Sequence, residues 1–197
     1  MSYHAARTQG QPGAPLVFTF HGTGGDEHQF HRLGTQLIRG AHVVSPRGEV
    51  NEGGALRYFR RTGEGVYDMD DLGRRRDELI RFVEAEIART GARRVVGLGY
   101  SNGANILAAM ALERSDLFGE IMLLHPLIPW DPAPQPGLKG RRILVTAGER
   151  DPICPEPQTR SFLTYLEAQG ASVTQAWHPG GHEIRPMEVD ALKAFFA

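Results

Sequence analysis

The residues best suited to covalent chemistry lie in the segment Gly99-Tyr100-Ser101-Asn102-Gly103. An apolar, β-branched run enters this segment and an alanine-rich helical pattern leaves it, which predicts a strand, a very tight turn and a helix. A Cβ atom at position 99 or 103 would crowd that turn, which accounts for the two glycines. The turn would hold the Ser101 hydroxyl at the carboxyl end of a strand, beside the first N–H groups of a helix, as nucleophilic catalysis requires.

The same glycines allow a second interpretation, in which Gly97, Gly99 and Gly103 form a dinucleotide-binding turn and helix N–H groups hold a pyrophosphate. Their spacing differs by one residue from G-x-G-x-x-G. The sequence also lacks a strand about 20 residues later that ends in an acidic residue to hold a ribose. We therefore favour a nucleophilic Ser101, provided that the chain supplies partners for it.

Two candidate partners follow later predicted strands. Asp151 lies in the loop Gly148-Glu149-Arg150-Asp151-Pro152, and His182 ends the loop Pro179-Gly180-Gly181-His182. The carboxyl ends of parallel strands meet at one edge of a sheet, so Ser101, Asp151 and His182 are expected to gather there. Nucleophile, acid and base then follow one another in the chain order of α/β-hydrolases. Glu149 remains an alternative acid, although Asp151 lies further into the loop.

Other reactive side chains allow further interpretations. His178 and His182 are four residues apart, which on a helix would suggest a metal pair, but Pro179-Gly180-Gly181 prevents a helix. No metal site is therefore predicted. His125, at the end of a predicted strand, is an alternative base, but it precedes Asp151 in the chain and is expected to pack or hydrogen-bond nearby. Cys154 lacks a basic or helix-start setting, which favours a packing role over a second nucleophile.

Length and composition predict one globular domain spanning residues 1–197, with 41 % hydrophobic and 23 % charged residues. A net charge of −1 gives no electrostatic case for binding nucleic acid or an anionic membrane. No apolar stretch reaches membrane-spanning length, so no stable membrane insertion is expected. The first ten residues lack the pattern of a signal peptide, and a single cysteine cannot form an internal disulfide, which together favour a cytoplasmic location.

Strand and helix patterns alternate along the chain, which predicts an α/β fold: a mostly parallel twisted sheet of six to seven strands with helices on both faces. The predicted strands are 16–20, 41–46, 93–99, 121–125, 142–147 and 171–177, and residues 3–9 are expected to form either a short edge strand or a frayed start. The clearest helices are 71–90, 158–169 and 186–196, besides the one that follows Ser101. Residues 47–70 are predicted to form a long polar loop, of the kind that often lines a site.

Four motifs together carry a family resemblance: His21-Gly22-Thr23-Gly24-Gly25, Gly99-Tyr100-Ser101-Asn102-Gly103, Gly148-Glu149-Arg150-Asp151-Pro152 and Gly180-Gly181-His182-Glu183. In them the sequence resembles the small carboxylesterase and phospholipase family of α/β-hydrolases, related to acyl-protein thioesterases and dienelactone hydrolases. The resemblance implies Ser101 as nucleophile, Asp151 as acid and His182 as base. It further implies an oxyanion hole formed by the backbone N–H groups of Thr23 and Asn102, and chemistry that uses no cofactor.

The segment between the fourth and fifth strands, Pro126 to Arg142, is too short for the cap domain of larger hydrolases, so an open site without a lid is expected. Candidates for an acyl pocket, with core packing as the alternative for each, are Leu127, Ile128, Trp130, Phe59 and Tyr100. Arg60 or Arg61 would meet an anionic group, unless both lie in a solvated loop. The predicted substrates are small carboxylic esters, with thioesters and lysophospholipids as side activities. The alternative is a small-molecule receptor with vestigial turnover, and either a monomer or a homodimer is compatible with the sequence.

Overall fold

The computed structural model describes residues 3–63 and 65–196. Its strands are β1 (Ala5–Thr8), β2 (Leu16–Phe20), β3 (His42–Pro46), β4 (Val50–Glu52), β5 (Ala55–Arg57), β6 (Arg61–Gly63), β7 (Val66–Tyr67), β8 (Val95–Tyr100), β9 (Glu120–Leu124), β10 (Arg142–Gly148) and β11 (Ser172–His178). Its α-helices are α1 (His31–Leu37), α2 (Met69–Thr90), α3 (Asn102–Glu113), α4 (Glu156–Ala168) and α5 (Pro186–Ala194).

Seven of these strands form one sheet in the order β1-β3-β2-β8-β9-β10-β11. The edge strand β1 runs antiparallel to β3, and every other neighbouring pair in this sheet is parallel. The predicted α/β fold with a mostly parallel sheet is therefore confirmed. Because the parallel strands end at one edge, the loops after β2, β8, β9, β10 and β11 lie on the same side of the molecule.

The core has two layers, one on each face of the sheet, because successive side chains of a strand point to opposite faces. Along β2, Leu16 and Phe18 belong to one buried cluster and Val17 to the other. The first cluster includes residues of α2, α3 and α4, and the second packs against residues of α1 and α5. Helices therefore cover both faces of the sheet, as the alternating pattern predicted.

The segment 47–70 is more ordered than the predicted loop, because it contains the hairpins β4–β5 and β6–β7. Gly53 and Gly54 join β4 to β5 with φ angles of 59° and 97°, which glycine adopts without strain. Tyr58 and Phe59, next in the chain, are 1 % and 0 % exposed and anchor the segment to the core. Strands of two or three residues are too short for an alternating pattern to reveal them.

Between β9 and β10 the chain forms an extended, proline-rich segment with one 3₁₀ turn at Pro136–Leu138. This short connection agrees with the predicted absence of a cap domain. Among the described residues, no helix combines the length and apolar character needed to cross a bilayer.

Candidate active site

Ser101 lies in the sharp turn between β8 and α3, with φ of 51° and ψ of −119°. A positive φ at a non-glycine residue costs on the order of 1–3 kcal/mol and persists only where the surroundings enforce it. Here the enforcement comes from close backbone packing. A Cβ on Gly99 would lie 2.5 Å from the Gly103 carbonyl oxygen, and one on Gly103 would lie 2.3 Å from that of Phe20. The two glycines therefore let strand and helix approach closely enough to expose the hydroxyl.

Gly97, the first glycine of the dinucleotide alternative, serves packing instead. A Cβ there would meet side chains of Leu107 at 2.7 Å and Phe118 at 3.2 Å. The residue thus lets α3 and the chain after it close over β8.

His182, in the loop after β11, connects the Ser101 hydroxyl to a carboxylate. Its Nε2 lies 2.8 Å from Ser101 Oγ and its Nδ1 lies 2.7 Å from Asp151 Oδ2. Since the carboxylate accepts from Nδ1–H, Nε2 is left to accept from the hydroxyl. Tyr100 fixes the loop because its hydroxyl donates to the His182 carbonyl oxygen at 2.7 Å. The predicted nucleophile, acid and base are thereby brought into one hydrogen-bonded chain.

Asp151, in the loop after β10, has both carboxylate oxygens fully used. Oδ1 accepts from the backbone N–H groups of Ile153 at 2.8 Å and Cys154 at 2.9 Å, while Oδ2 accepts from His182 and His125. Burial alone would raise the pKa of this carboxyl, but these hydrogen bonds outweigh it and hold the pKa well below its usual range. Asp151 is therefore ionised throughout the neutral range. Glu149, the alternative acid, is exposed in the same loop.

His125 follows β9 directly and lies wholly inside the protein, with a φ of 50°. Its Nδ1 is 2.9 Å from Asp151 Oδ2 and its Nε2 is 3.0 Å from Glu188 Oε1. Burial opposes the charged ring, but hydrogen bonds and charges of the two carboxylates overcome it and raise the pKa of His125 to about 9. An imidazolium at neutral pH follows, bound between two carboxylates and donating to both.

Glu188, in the first turn of α5, holds the far side of this ring. Its Oε1 also accepts from Thr146 Oγ1 at 2.6 Å, and its Oε2 accepts from the Arg185 backbone N–H at 2.7 Å. His178 Nε2 lies 3.2 Å from Oε2. Burial would raise the pKa of Glu188, but the hydrogen bonds from His125 and Thr146 outweigh it and lower that pKa. Neither Glu188 nor Thr146 was predicted from the sequence, since no motif marks either residue.

Two groups of three residues each have candidate ligand atoms within 4.8 Å of one another: His125, Asp151 and His182 form one group, and His125, His178 and Glu188 form the other. His178 and His182, the pair considered from spacing, are therefore not in one group. Both groups depend on His125, whose two nitrogens already donate to carboxylates. A ligating imidazole must be neutral at the binding nitrogen, so a metal would have to displace a proton held with a pKa of about 9.

Thr23 and Asn102, whose amide groups are predicted to form an oxyanion hole, line the same cavity as Ser101. Thr23 lies in a turn closed by the Gly25 N–H and the Gly22 carbonyl at 3.0 Å, and Asn102 is the first residue of α3. Across residues 3–63 and 65–196, no protein acceptor is hydrogen-bonded to either amide N–H. His21 braces this turn through bonds to the Gly22 carbonyl at 2.7 Å and the Gly48 N–H at 2.9 Å.

The cavity beside Ser101 has a volume of about 340 Å³. Of the candidate acyl-pocket residues, Leu127 and Tyr100 line it. Asn105 positions the wall through its side chain, which accepts from the Leu127 N–H at 2.7 Å and donates to the Tyr67 hydroxyl at 2.7 Å. Tyr67 in turn donates to the Leu127 carbonyl at 3.0 Å. Asn105 and Tyr67, which also line the cavity, were not singled out from the sequence.

The other three acyl-pocket candidates lie elsewhere. Phe59 is fully buried beneath Tyr67, with ring centroids 4.8 Å apart, and Ile128 belongs to the core. Trp130 lines a neighbouring cavity bordered by α2 and α3. The physical reason is that the proline-rich segment leaves the site after Leu127, so its later apolar side chains pack against other elements. Phe59 and Ile128 therefore pack in the core, which was the alternative stated for each of them.

Comparisons with known proteins agree with this architecture. MhqD of Bacillus subtilis strain 168, a protein named as a hydrolase, is 35 % identical over 183 residues, covering 92 % of each chain. The crystal structure of Atu2452 from Agrobacterium tumefaciens, of unknown function, is 50 % identical with a TM-score of 0.93, covering 98 % of this chain and 95 % of its own. The crystal structure of the Bacillus cereus carboxylesterase has a TM-score of 0.91 and 32 % sequence identity, and the match covers 98 % of this chain and 93 % of the carboxylesterase chain. No protein-family model matches the chain.

Proposed function

Because this chain belongs to the α/β-hydrolase family of esterases, we propose that it hydrolyses small carboxylic esters through an acyl-enzyme intermediate on Ser101. The observation that carries the proposal is the chain of contacts from Ser101 Oγ to His182 Nε2, at 2.8 Å, and from His182 Nδ1 to Asp151 Oδ2, at 2.7 Å. This chain opens onto the cavity of about 340 Å³, where an ester carbonyl has room to approach the hydroxyl.

In the first half-reaction, Ser101 Oγ attacks the ester carbonyl carbon while His182 Nε2 takes the hydroxyl proton. Asp151 keeps the imidazole oriented and stabilises its charged form. The carbonyl oxygen becomes an oxyanion, which we expect to accept hydrogen bonds from the N–H groups of Thr23 and Asn102. Loss of one such donor typically lowers kcat about 10²–10³-fold. Collapse of the intermediate breaks the C–O bond, and His182 returns the proton to the departing alcohol.

In the second half-reaction, water attacks the acyl-Ser101 carbonyl and gives its proton to His182 Nε2. The tetrahedral intermediate then releases the carboxylic acid, and the imidazolium returns its proton to Ser101 Oγ. Each step uses the same two nitrogens of His182. The step sequence therefore needs Asp151 to stay ionised while His182 changes its protonation state, which matches the hydrogen bonds around the carboxylate.

The size of the cavity and the short β9–β10 connection favour short acyl groups over long ones. Thioesters and lysophospholipids are proposed as side activities, since the same attack on a carbonyl carbon serves each. A receptor with vestigial turnover would use the same cavity, but it has no need for the complete chain from Ser101 to Asp151.

Labelling with a fluorophosphonate followed by peptide mass mapping tests the nucleophile directly. We expect a single adduct on Ser101, together with multiple turnover of p-nitrophenyl acetate, and both are expected to be lost in Ser101→Ala. Circular dichroism of Ser101→Ala provides the folding control. Tight binding of an ester without turnover, or an adduct at Cys154 in place of Ser101, would contradict the proposal.

A further inference from the structure

Two arginines line the cavity beside Ser101, one buried and one exposed at the surface. Arg57 ends β5 and has a side chain that is 5 % exposed, and Arg61 begins β6 with 34 % exposed. Burying a guanidinium is costly unless its charge and its donors are met by partners. The protein partners of these two side chains therefore indicate which charge and which hydrogen-bonding groups a ligand of the cavity would need.

Fixed contacts within the protein hold Arg57 in place. Its Nη1 donates to Thr23 Oγ1 at 2.9 Å, its Nε lies 3.3 Å from the Phe59 carbonyl oxygen, and its guanidinium lies over the Phe59 ring. Thr23 lines the same cavity and is predicted to contribute its amide N–H to the oxyanion hole. Arg57 is thus attached to the turn that would bind the oxyanion, and a group bound by Arg57 would be positioned relative to the ester carbonyl.

One carboxylate serves both arginines. Glu52, which is 42 % exposed, lies 3.3 Å from Arg57 Nε and accepts from Arg61 Nε at 2.9 Å and 3.2 Å. Within the described part of the chain, Arg57 Nη2 and both Nη atoms of Arg61 make no hydrogen bond to protein. Among the described residues, these two cations and one anion leave a net positive charge, and the guanidinium N–H groups without a described protein acceptor are available to a ligand.

The other described residues of the cavity wall do not neutralise this charge. They are glycine or carry apolar, hydroxyl, amide, thiol or imidazole side chains, and none of the described lining residues is acidic. Burial and the nearby charge of Arg61 both lower the pKa of Arg57, as expected of a cation with an incomplete set of counter-charges.

We propose that this cavity selects esters that carry a free carboxylate, which Arg57 and Arg61 bind while Ser101 attacks the ester carbonyl. The inference rests on the proposed esterase function and names its substrate class. Guanidinium groups bind carboxylates through paired, charge-assisted hydrogen bonds, and arginine is the residue best suited to that planar contact. Arg60, the next residue along, is not part of this site, because it pairs with Asp68.

The test compares three methyl esters of similar length that differ at the far end: monomethyl glutarate, its neutral primary amide, and the ester of 4-trimethylammoniobutanoate. We expect kcat/KM for the carboxylate to exceed that for the amide about ten- to a hundredfold, mainly through KM, because a charge-assisted hydrogen bond is worth that much in binding. The cationic ester should be the poorest of the three. Raising NaCl from 0.05 to 0.5 M should narrow the differences.

Matched variants show which arginine causes the preference for the carboxylate ester. Arg61→Gln should remove most of the preference, because it should lower kcat/KM for the carboxylate ester more than kcat/KM for the neutral amide ester, and Arg61→Glu should favour the cationic ester. Arg60→Gln, one residue away and outside the cavity, should keep the full preference. Arg57→Lys keeps the positive charge but loses the planar guanidinium, so this variant should retain only part of the preference for the carboxylate ester.

Equal kcat/KM for the carboxylate and amide esters in the unmodified protein would overturn the inference. So would a preference that survives Arg61→Gln and Arg57→Lys alike. These outcomes differ from failure of the esterase proposal, in which none of the three esters would be hydrolysed and Ser101 would resist fluorophosphonate.

Discussion

Two histidines share one oxygen of Asp151, and their surroundings differ. His182 is 16 % exposed, borders the cavity, and has the Ser101 hydroxyl on its second nitrogen. His125 is fully buried, and its second nitrogen meets the carboxylate of Glu188. We call Ser101, His182 and Asp151 the outer triad, and His125, Glu188, His178 and Thr146 the inner network.

The different surroundings of the two imidazoles determine whether each ring can exchange a proton. A ring between a carboxylate and a hydroxyl can take up and release a proton in every cycle, as a general base must. A ring between two carboxylates is held in its charged form, so its protonation is constant at neutral pH. Within the inner network, the His125 imidazolium therefore supplies a fixed positive charge beside Asp151. In the proposed mechanism, the outer triad carries out the proton transfer.

The largest expected effect is on kcat, and it should differ between substitution of Asp151 and substitution of His125, the buried partner of its Oδ2. Asp151→Asn should lower kcat about 10⁴-fold, because an amide no longer holds His182 in the required tautomer. His125→Gln should lower kcat only about ten- to a hundredfold, as is typical for a group that orients a reactive residue without touching the substrate. Steady-state kinetics with p-nitrophenyl acetate measures both.

Glu149→Gln provides the matched control, since Glu149 is the exposed carboxylate in the same loop. It should leave kcat unchanged within about twofold. A loss in Glu149→Gln as large as that in Asp151→Asn would show that the acid has been assigned to the wrong carboxylate. Equal decreases in kcat in Asp151→Asn and His125→Gln would contradict the different roles assigned to the outer triad and the inner network.

The next effect concerns stability as a function of pH. The pKa of His125 in the folded protein is about 9, against roughly 6.5 in an unfolded chain. A raised pKa stabilises the fold fully below the unfolded value, and that contribution is lost as pH rises through the folded value. The free energy of unfolding should therefore fall between about pH 6.5 and 9, by on the order of 3 kcal/mol from this group.

Urea unfolding at a series of pH values checks this slope, and His125→Gln should flatten it. The carboxyls of Asp151 and Glu188 act in the opposite direction, because their lowered pKa values stabilise the fold above their usual range and the contribution is lost on acidification. An alkaline decline of the same size in His125→Gln would show that another group causes it.

The smallest effect is expected at Cys154, which is buried beside Asp151. Its thiol donates to the His125 carbonyl oxygen at 3.2 Å, and burial raises the thiol pKa far above its usual range. Cys154→Ala should leave kcat within about twofold, and iodoacetamide should leave the native enzyme active. Rapid inactivation by iodoacetamide that Cys154→Ala abolishes would instead indicate a reactive thiol at the site.

Much of this arrangement was accessible from local patterns. The apolar runs of β2, β8, β9 and β10 predicted buried parallel strands, and the glycines around Ser101 predicted a turn that only glycine permits. Chain order alone placed the loops bearing Ser101, Asp151 and His182 at one edge of the sheet. These features depend on residues close in sequence or on the regular geometry of parallel strands, so they are readable without coordinates.

The inner network was not accessible in the same way. His125 was expected to pack or hydrogen-bond nearby, but its second partner, Glu188, lies 63 positions along the chain in an ordinary amphipathic helix. Arg61 was considered from the sequence, together with Arg60, as a residue that would meet an anionic group, but Arg57 was not. Both arginines reach the cavity from strands of three residues, β5 and β6, that periodicity does not reveal. In each case the partner is chosen by packing between distant elements.

By itself, the sequence determined the parallel sheet, the strained turn at Ser101 and the loops that approach it, because turn sterics and strand alternation are local. Only the tertiary structure decided which histidine faces the hydroxyl and which is enclosed by carboxylates. It also decided which arginine is turned inward and which apolar side chains leave the site. Burial and long-range hydrogen bonding settle those choices, since the charge state of an imidazole depends on the groups around it in space.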